Sequence, residues 1–241
     1  MGMVLVLIGS IITIVLVYYL FEINFKKIKK LTENERINKL VEKFPNDEQV
    51  CKTMLDMLEN NKVKIKKSEN KKDKTSVYVA ITDTIIIGNL RGVHTRIQTI
   101  AHECLHSIQS RKLLLFNFVF TNIYNLYFII TTILTILGIL KNTNIQITIL
   151  LLMGFLYYIV RSYLEIDAMI NAKYLADEYM KEYIQNNGVC TINEVNDITK
   201  EHERINKLGI PAYIFSLFFK VMIKMIIYII IVTIVMSGQI G

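Results

Sequence analysis

Cysteine, proline and tryptophan are scarce in this chain. Its 241 residues hold three cysteines, Cys51, Cys104 and Cys190, far apart and with no C-x-x-C pair. That excludes a disulfide framework and a cysteine-type zinc site. No Lys or Arg precedes the first apolar run, Met3 to Phe21, and no small-residue cleavage site follows it; Lys26, Lys27, Lys29 and Lys30 come instead. The pattern excludes a cleavable signal peptide and reads as a membrane anchor. With 2 prolines and no tryptophan, 52% of the residues are hydrophobic and the mean hydropathy is +0.37. That is too apolar for an ordinary soluble protein. There is no internal repeat. The formal charge of +7 lacks an aromatic-interleaved basic patch, and its cations flank apolar spans. The bilayer is therefore the expected partner, and nucleic acid is not.

What is present is the pentapeptide His102-Glu103-Cys104-Leu105-His106, the pattern H-E-x-x-H, in a stretch that reads as helix. With 4 His and 14 Glu in the chain, chance gives roughly 0.004 such patterns, which makes accident a poor explanation. Two histidines four apart share a helical face, so both imidazoles can reach one Zn²⁺. Glu103 is one step round, placed to take a proton from a zinc-activated water. The helix is expected to start near Thr95. Ile97, Ala101, Cys104 and Ile108 form its apolar stripe, and Thr99, His102, Glu103 and His106 its polar face. Cys104 reads as a small buried apolar residue.

The rest of the chain predicts a mainly α membrane protein, with about four transmembrane helices and a small cytoplasmic α+β zincin-like catalytic part. Residues 1–21 are the N-terminal anchor. Residues 22–112 hold 19 of the 28 Lys+Arg against 12 of the 21 Asp+Glu, which places them on the cytoplasmic side of the cell membrane with the N-terminus outside. Within them Thr32 with Glu35, and Asn46 with Gln49, read as helix-opening caps. The lysine-rich stretch 66–75 reads as a loop. Val77, Val79 and Ile81, then Ile85 to Ile87, read as short strands. Residues 113–160 form a transmembrane hairpin around the polar turn Lys141 to Asn144. Residues 161–210 return as cytoplasmic helices: one over Tyr163 to Ile184, stopped by Gly188, and one capped by Thr191 with Glu194 and punctuated by Gly209 and Pro211. Residues 211–241 form the last transmembrane helix, its C-terminus outside. Lys220 and Lys224 in it either snorkel to headgroups or face protein.

A catalytic zinc site needs a third protein ligand and an open position for water. His94, His202, Glu165, Asp167, Asp177 and Glu178 are the donors outside the motif, and Glu165 is the choice. Two crossings bring it back to the side of His102 and His106, at the start of a helix that can lie along the motif helix. Asp167 is placed to orient a ligating imidazole, Arg161 to aid near Glu165, and His94 to sit on the surface. One Zn²⁺ per chain then acidifies water and polarises a carbonyl, with Glu103 as general base and acid. An exposed strand edge around Ile85 to Ile87 would hold an extended peptide.

These stretches resemble the YugP-type membrane zinc metallopeptidases, and more distantly the HtpX-like membrane proteases. TIAHECLHSIQ, Thr99 to Gln109, is similar to that family's AAHEVGHAIQ-like motif; YLEIDA, Tyr163 to Ala168, to its E-x-N-A segment; and Thr191 to Tyr213 to its T-x-x-E helix. The resemblance implies a membrane peptidase acting on peptide or membrane-protein substrates. It implies His102, His106 and Glu165 as zinc ligands and Glu103 as catalytic acid/base. Leu105 stands where that family has Gly, Asp167 where it has Asn, and Met169 where the HtpX-like relatives carry Asp. The rival readings are a non-proteolytic membrane scaffold or regulator that keeps the fold, and a transporter subunit built around Lys220 and Lys224.

Overall fold

The computed structural model describes residues 2–31, 34–70, 72–90 and 92–238. It is mostly helical with a small three-stranded sheet. The elements run α1 (Gly2–Leu20), α2 (Phe25–Leu31), α3 (Glu35–Val41), α4 (Asp47–Met57), β1 (Lys64–Lys67), β2 (Val77–Val79), β3 (Thr84–Ile87), α5 (Arg96–Ile108), α6 (Arg111–Ile136), α7 (Thr143–Asn187) and α8 (Ile192–Gly238). Two compact units result. One holds residues 1–23, 116–163 and 211–241, and the other residues 24–115 and 164–210.

The apolar unit is built from α1 and the apolar lengths of α6, α7 and α8. Among the described residues three helices are long and apolar enough to cross a membrane: α6, α7 and α8. The fourth expected span, α1, is helical, but its apolar stretch Val4–Leu20 is shorter. Large apolar side chains such as Leu5, Leu16, Leu126, Leu152 and Ile234 are exposed on this unit, a surface that water does not favour. Inside it, Tyr124, Leu150, Tyr228 and Val232 form one buried cluster. Gly154 makes this packing possible. A Cβ there would lie 2.5 Å from Cγ1 of Val221 and 2.9 Å from the Tyr124 hydroxyl, so only glycine lets these helices approach. Lys224 faces protein. Its ammonium hydrogen-bonds Oδ1 of Asn125 and lies 4.3 Å from the centre of the Tyr124 ring.

The second unit has one hydrophobic core. On α4, Val50, Cys51, Met54 and Leu55 recur at helical spacing and are buried against Ile97, Ile100, Ala101 and Cys104 of α5. Cys51 and Cys104 meet there as free thiols, Sγ to Sγ 3.7 Å. From α7, Leu175, Tyr179 and Met180 join with Ala168, Ala172 and Ala176, an alanine column at steps of four that lets the helix lie close. Arg96, at the first position of α5, is buried and donates to Asp47 and to the carbonyls of Val41 and Phe44, tying α5 to the loop before α4. In the sheet, ordered β1-β3-β2, β1 runs parallel to β3 and β2 antiparallel to it, Tyr78 opposite Ile85.

Local signals in the sequence meet mixed outcomes. Asn46 caps α4 through the Gln49 N–H, and Thr191 and Glu194 cap α8 reciprocally. Gly188 takes the left-handed conformation, φ +63°, after α7. Thr32 lies outside the described residues, and Asn34 is the observed cap of α3, accepting from the Ile37 N–H. The boundaries drawn at residues 160 and 210 fall inside unbroken helices. No glycine or proline interrupts 155–187, so nothing stops α7 at Arg161. In α8, Pro211 removes one backbone donor, and one lost bond does not end a helix whose two ends are each packed in a core.

Candidate metal centre

Helix α5 presents its ligand-type side chains because its other face is committed to the core. Ile97, Ala101 and Cys104 are buried as the stripe predicts, while Ile108 at the end is 50% exposed. The opposite face is not a solvent face. Glu103 and His106 are buried as well, covered by other elements of the same unit. Leu105, the bulky departure from the resembled motif, fits because it joins the hydrophobic core.

Three donors converge. Nε2 of His106 lies 3.0 Å from Nε2 of His102, with the rings at 85°. Glu165 on α7 places Oε2 3.4 Å from His102 Nε2 and Oε1 3.8 Å from His106 Nε2. This is the one His/Cys/Asp/Glu group among the described residues with metal-holding geometry. Ligand bonds of about 2.0–2.2 Å at tetrahedral angles set donor atoms about 3.3–3.5 Å apart. The three observed separations bracket that value, so the trio fits a small divalent cation. His102 is the open side, with 19% of its side chain exposed against 9% for His106 and 7% for Glu165.

Two partners fix the groups around this trio. The Tyr78 N–H donates to Oε2 of Glu103 at 2.6 Å, from a strand that has β3 on one side only. Gln109, the C-cap of α5, puts Oε1 2.8 Å from His106 Nδ1. Its amide nitrogen donates to the Leu164 carbonyl at 2.9 Å and to Oδ2 of Asp167 at 2.7 Å. Asn171 holds the other oxygen of Asp167.

Burial raises the Glu103 carboxyl above the usual carboxylate range, opposed by the two histidines and the Tyr78 N–H. Burial works the other way on His106, but the hydrogen bond and charge of Glu165, helped by Gln109 and Glu103, leave its imidazole above the ordinary histidine value.

Of the residues singled out in the sequence, His102, Glu103, His106 and Glu165 come together. Asp167 is present too, but reaches His106 through Gln109 rather than directly. Arg161 lies one turn before Glu165 on α7. His94 is not on the surface. It is fully buried, neither ring nitrogen having a hydrogen-bond partner among the described residues. His202 is equally buried, its Nε2 3.4 Å from the His94 carbonyl, and neither belongs to the trio. The strand edge also differs from expectation. β3 is central, paired on both sides, and the edges belong to β1 and β2. Sequence reasoning missed Tyr78 and Gln109. Gln109 carried a readable signal, a polar side chain three residues after His106; Tyr78 acts through its backbone, which no side-chain pattern marks.

No protein-family model, no curated protein and no solved structure matches the chain.

Proposed function

We propose that this chain is a membrane-embedded, zinc-dependent metallopeptidase of the YugP-like kind, with a zincin-like catalytic unit. The observation that carries the reading is the convergence of His102, His106 and Glu165 on one point, with the buried carboxylate of Glu103 next in sequence on the same helix. Two imidazoles and a carboxylate are a catalytic zinc donor set, in which a fourth position stays open. When bound, such a cation acidifies water and polarises a carbonyl. His102, His106 and Glu165 would hold it.

The remaining steps belong to the protein. Glu103 accepts a proton at its carboxylate and returns it to the leaving amine. Its raised affinity for protons moves it toward the range where one group serves both tasks near neutrality. The Tyr78 N–H keeps the carboxylate aimed. That bond also takes the outward donor of β2, so the β2 edge is engaged by α5 itself. The exposed side of His102 is the way in. Topology completes the reading: α1, α6, α7 and α8 span the cell membrane, the metal unit is cytoplasmic, and both termini lie outside, as the charge bias requires. The bonds of Lys224 to Asn125 and to the Tyr124 ring give one of the two lysines behind the transporter reading a place in helix packing.

The test is hydrolysis of a mixed peptide library by the full chain in detergent, read by mass spectrometry. Cleavage that a zinc chelator abolishes, that zinc restores and that Glu103→Gln lacks is the expected result. Wild-type protein that cleaves nothing, or cleavage that survives in Glu103→Gln, would refute the proposal.

A further inference from the structure

The amide of Gln109 has only one orientation that its surroundings accept. On one side lie the Leu164 carbonyl at 2.9 Å and Oδ2 of Asp167 at 2.7 Å, and a backbone carbonyl can only accept. The amide nitrogen must therefore point there. That leaves Oε1 facing Nδ1 of His106 at 2.8 Å. An amide oxygen is itself only an acceptor, so Nδ1 must carry the proton. In the neutral ring the lone pair of His106 is then on Nε2, the atom that faces His102 and Glu165. Asp167 is in turn held by Asn171, 3.0 Å from Oδ1.

We propose that Gln109 is a positioning residue that presets His106 as a metal ligand. It locks the Nδ1–H tautomer and, through Leu164, ties the end of α5 to α7 one residue before Glu165. The chain of acceptance, His106 to Gln109 to Asp167, does for this imidazole what a directly bonded carboxylate does in other metal sites. It makes the two elements that supply the ligands move as one. The inference rests on the metal-centre reading for its consequence, but the tautomer is a property of the metal-free protein and can be measured alone.

The experiment uses the full chain in detergent, labelled with ¹⁵N-histidine. With 4 histidines, His106→Ala assigns the signal. Metal-free wild type should show His106 protonated at Nδ1, and Gln109→Met, of similar size and without the acceptor, should show a mixture of tautomers. Zinc titration against a competing chelating dye should give an affinity about 10–100-fold weaker for Gln109→Met. A neutral His106 protonated at Nε2 and not at Nδ1 in the wild type would overturn the inference even if no variant folds. Equal zinc affinity in wild type and Gln109→Met would overturn it as well. A wild type that binds no zinc, with the Nδ1–H tautomer present, would instead sink the metal reading and leave the positioning of His106 standing.

Discussion

Acid should unfold the unit of residues 24–115 and 164–210 through His202, and the size of the effect follows from its surroundings. The side chain has no exposed surface. Its Nε2 has one long bond, to the His94 carbonyl, and its Nδ1 has no partner among the described residues. Burial, the largest influence, pushes the imidazole down from 6.5 to about 4. The His94 carbonyl bond and the charge of Asp177 resist this, while the His94 ring adds to it. The unfolded chain therefore takes up a proton at higher pH than the folded one. Stability is full above the unfolded value near 6.5, falls as the pH drops, and the loss is complete once it passes below the folded value near 4. A difference of two to three pH units is on the order of 3 kcal/mol, a large share of the 5–15 kcal/mol typical of a domain. His94, whose imidazole burial also lowers, adds in the same direction. Thermal or denaturant unfolding of the wild type and of His202→Leu, from pH 8 to pH 4, measures this. The wild type should lose on the order of 3 kcal/mol relative to the variant as the pH falls, because the variant has no proton to gain at this position. Curves that stay parallel across that range would refute the reasoning.

Two further perturbations test the core and the chemistry. Arg96→Met leaves Asp47 and the carbonyls of Val41 and Phe44 without their buried donor and should cost about 3–5 kcal/mol in unfolding free energy, the scale of breaking a buried charged network. A loss below about 1 kcal/mol would show that water replaces the guanidinium easily. Glu103→Gln keeps an oxygen for the Tyr78 N–H, so the fold and the zinc content should be unchanged while peptide hydrolysis falls about 10²–10⁴-fold, the weight of a general base; a variant that loses its metal would show that Glu103 helps to hold it.

How much of this was readable in advance depends on how local the determinant is. The motif helix, the caps at Asn46 and Thr191 and the stop at Gly188 are written in a few neighbouring residues, and the structure has them. The continuity of α7 past Arg161 and of α8 past Pro211 was not legible, because a charge or a proline lowers helix stability by a finite amount that packing on both sides outweighs. Burial of His94 was hidden for the same reason: a polar side chain before a helix reads as surface until other elements cover it. The central place of β3 is a matter of strand order, which periodicity does not encode. The trio itself was found by joining one local pattern to one topological argument, that two crossings return Glu165 to the side of the histidines. Gln109 lay inside the quoted motif, but its role depends on Leu164 and Asp167, fifty-five and fifty-eight residues away.

The claim on which the proposed function stands is that His102, His106 and Glu165 hold one divalent cation. Metal analysis of the full chain, purified in detergent without chelator and reloaded with zinc, measures it directly. The account predicts one zinc per chain in the wild type and none above background in His102→Ala and Glu165→Ala. A wild type that keeps its helical content and takes up no zinc would contradict it.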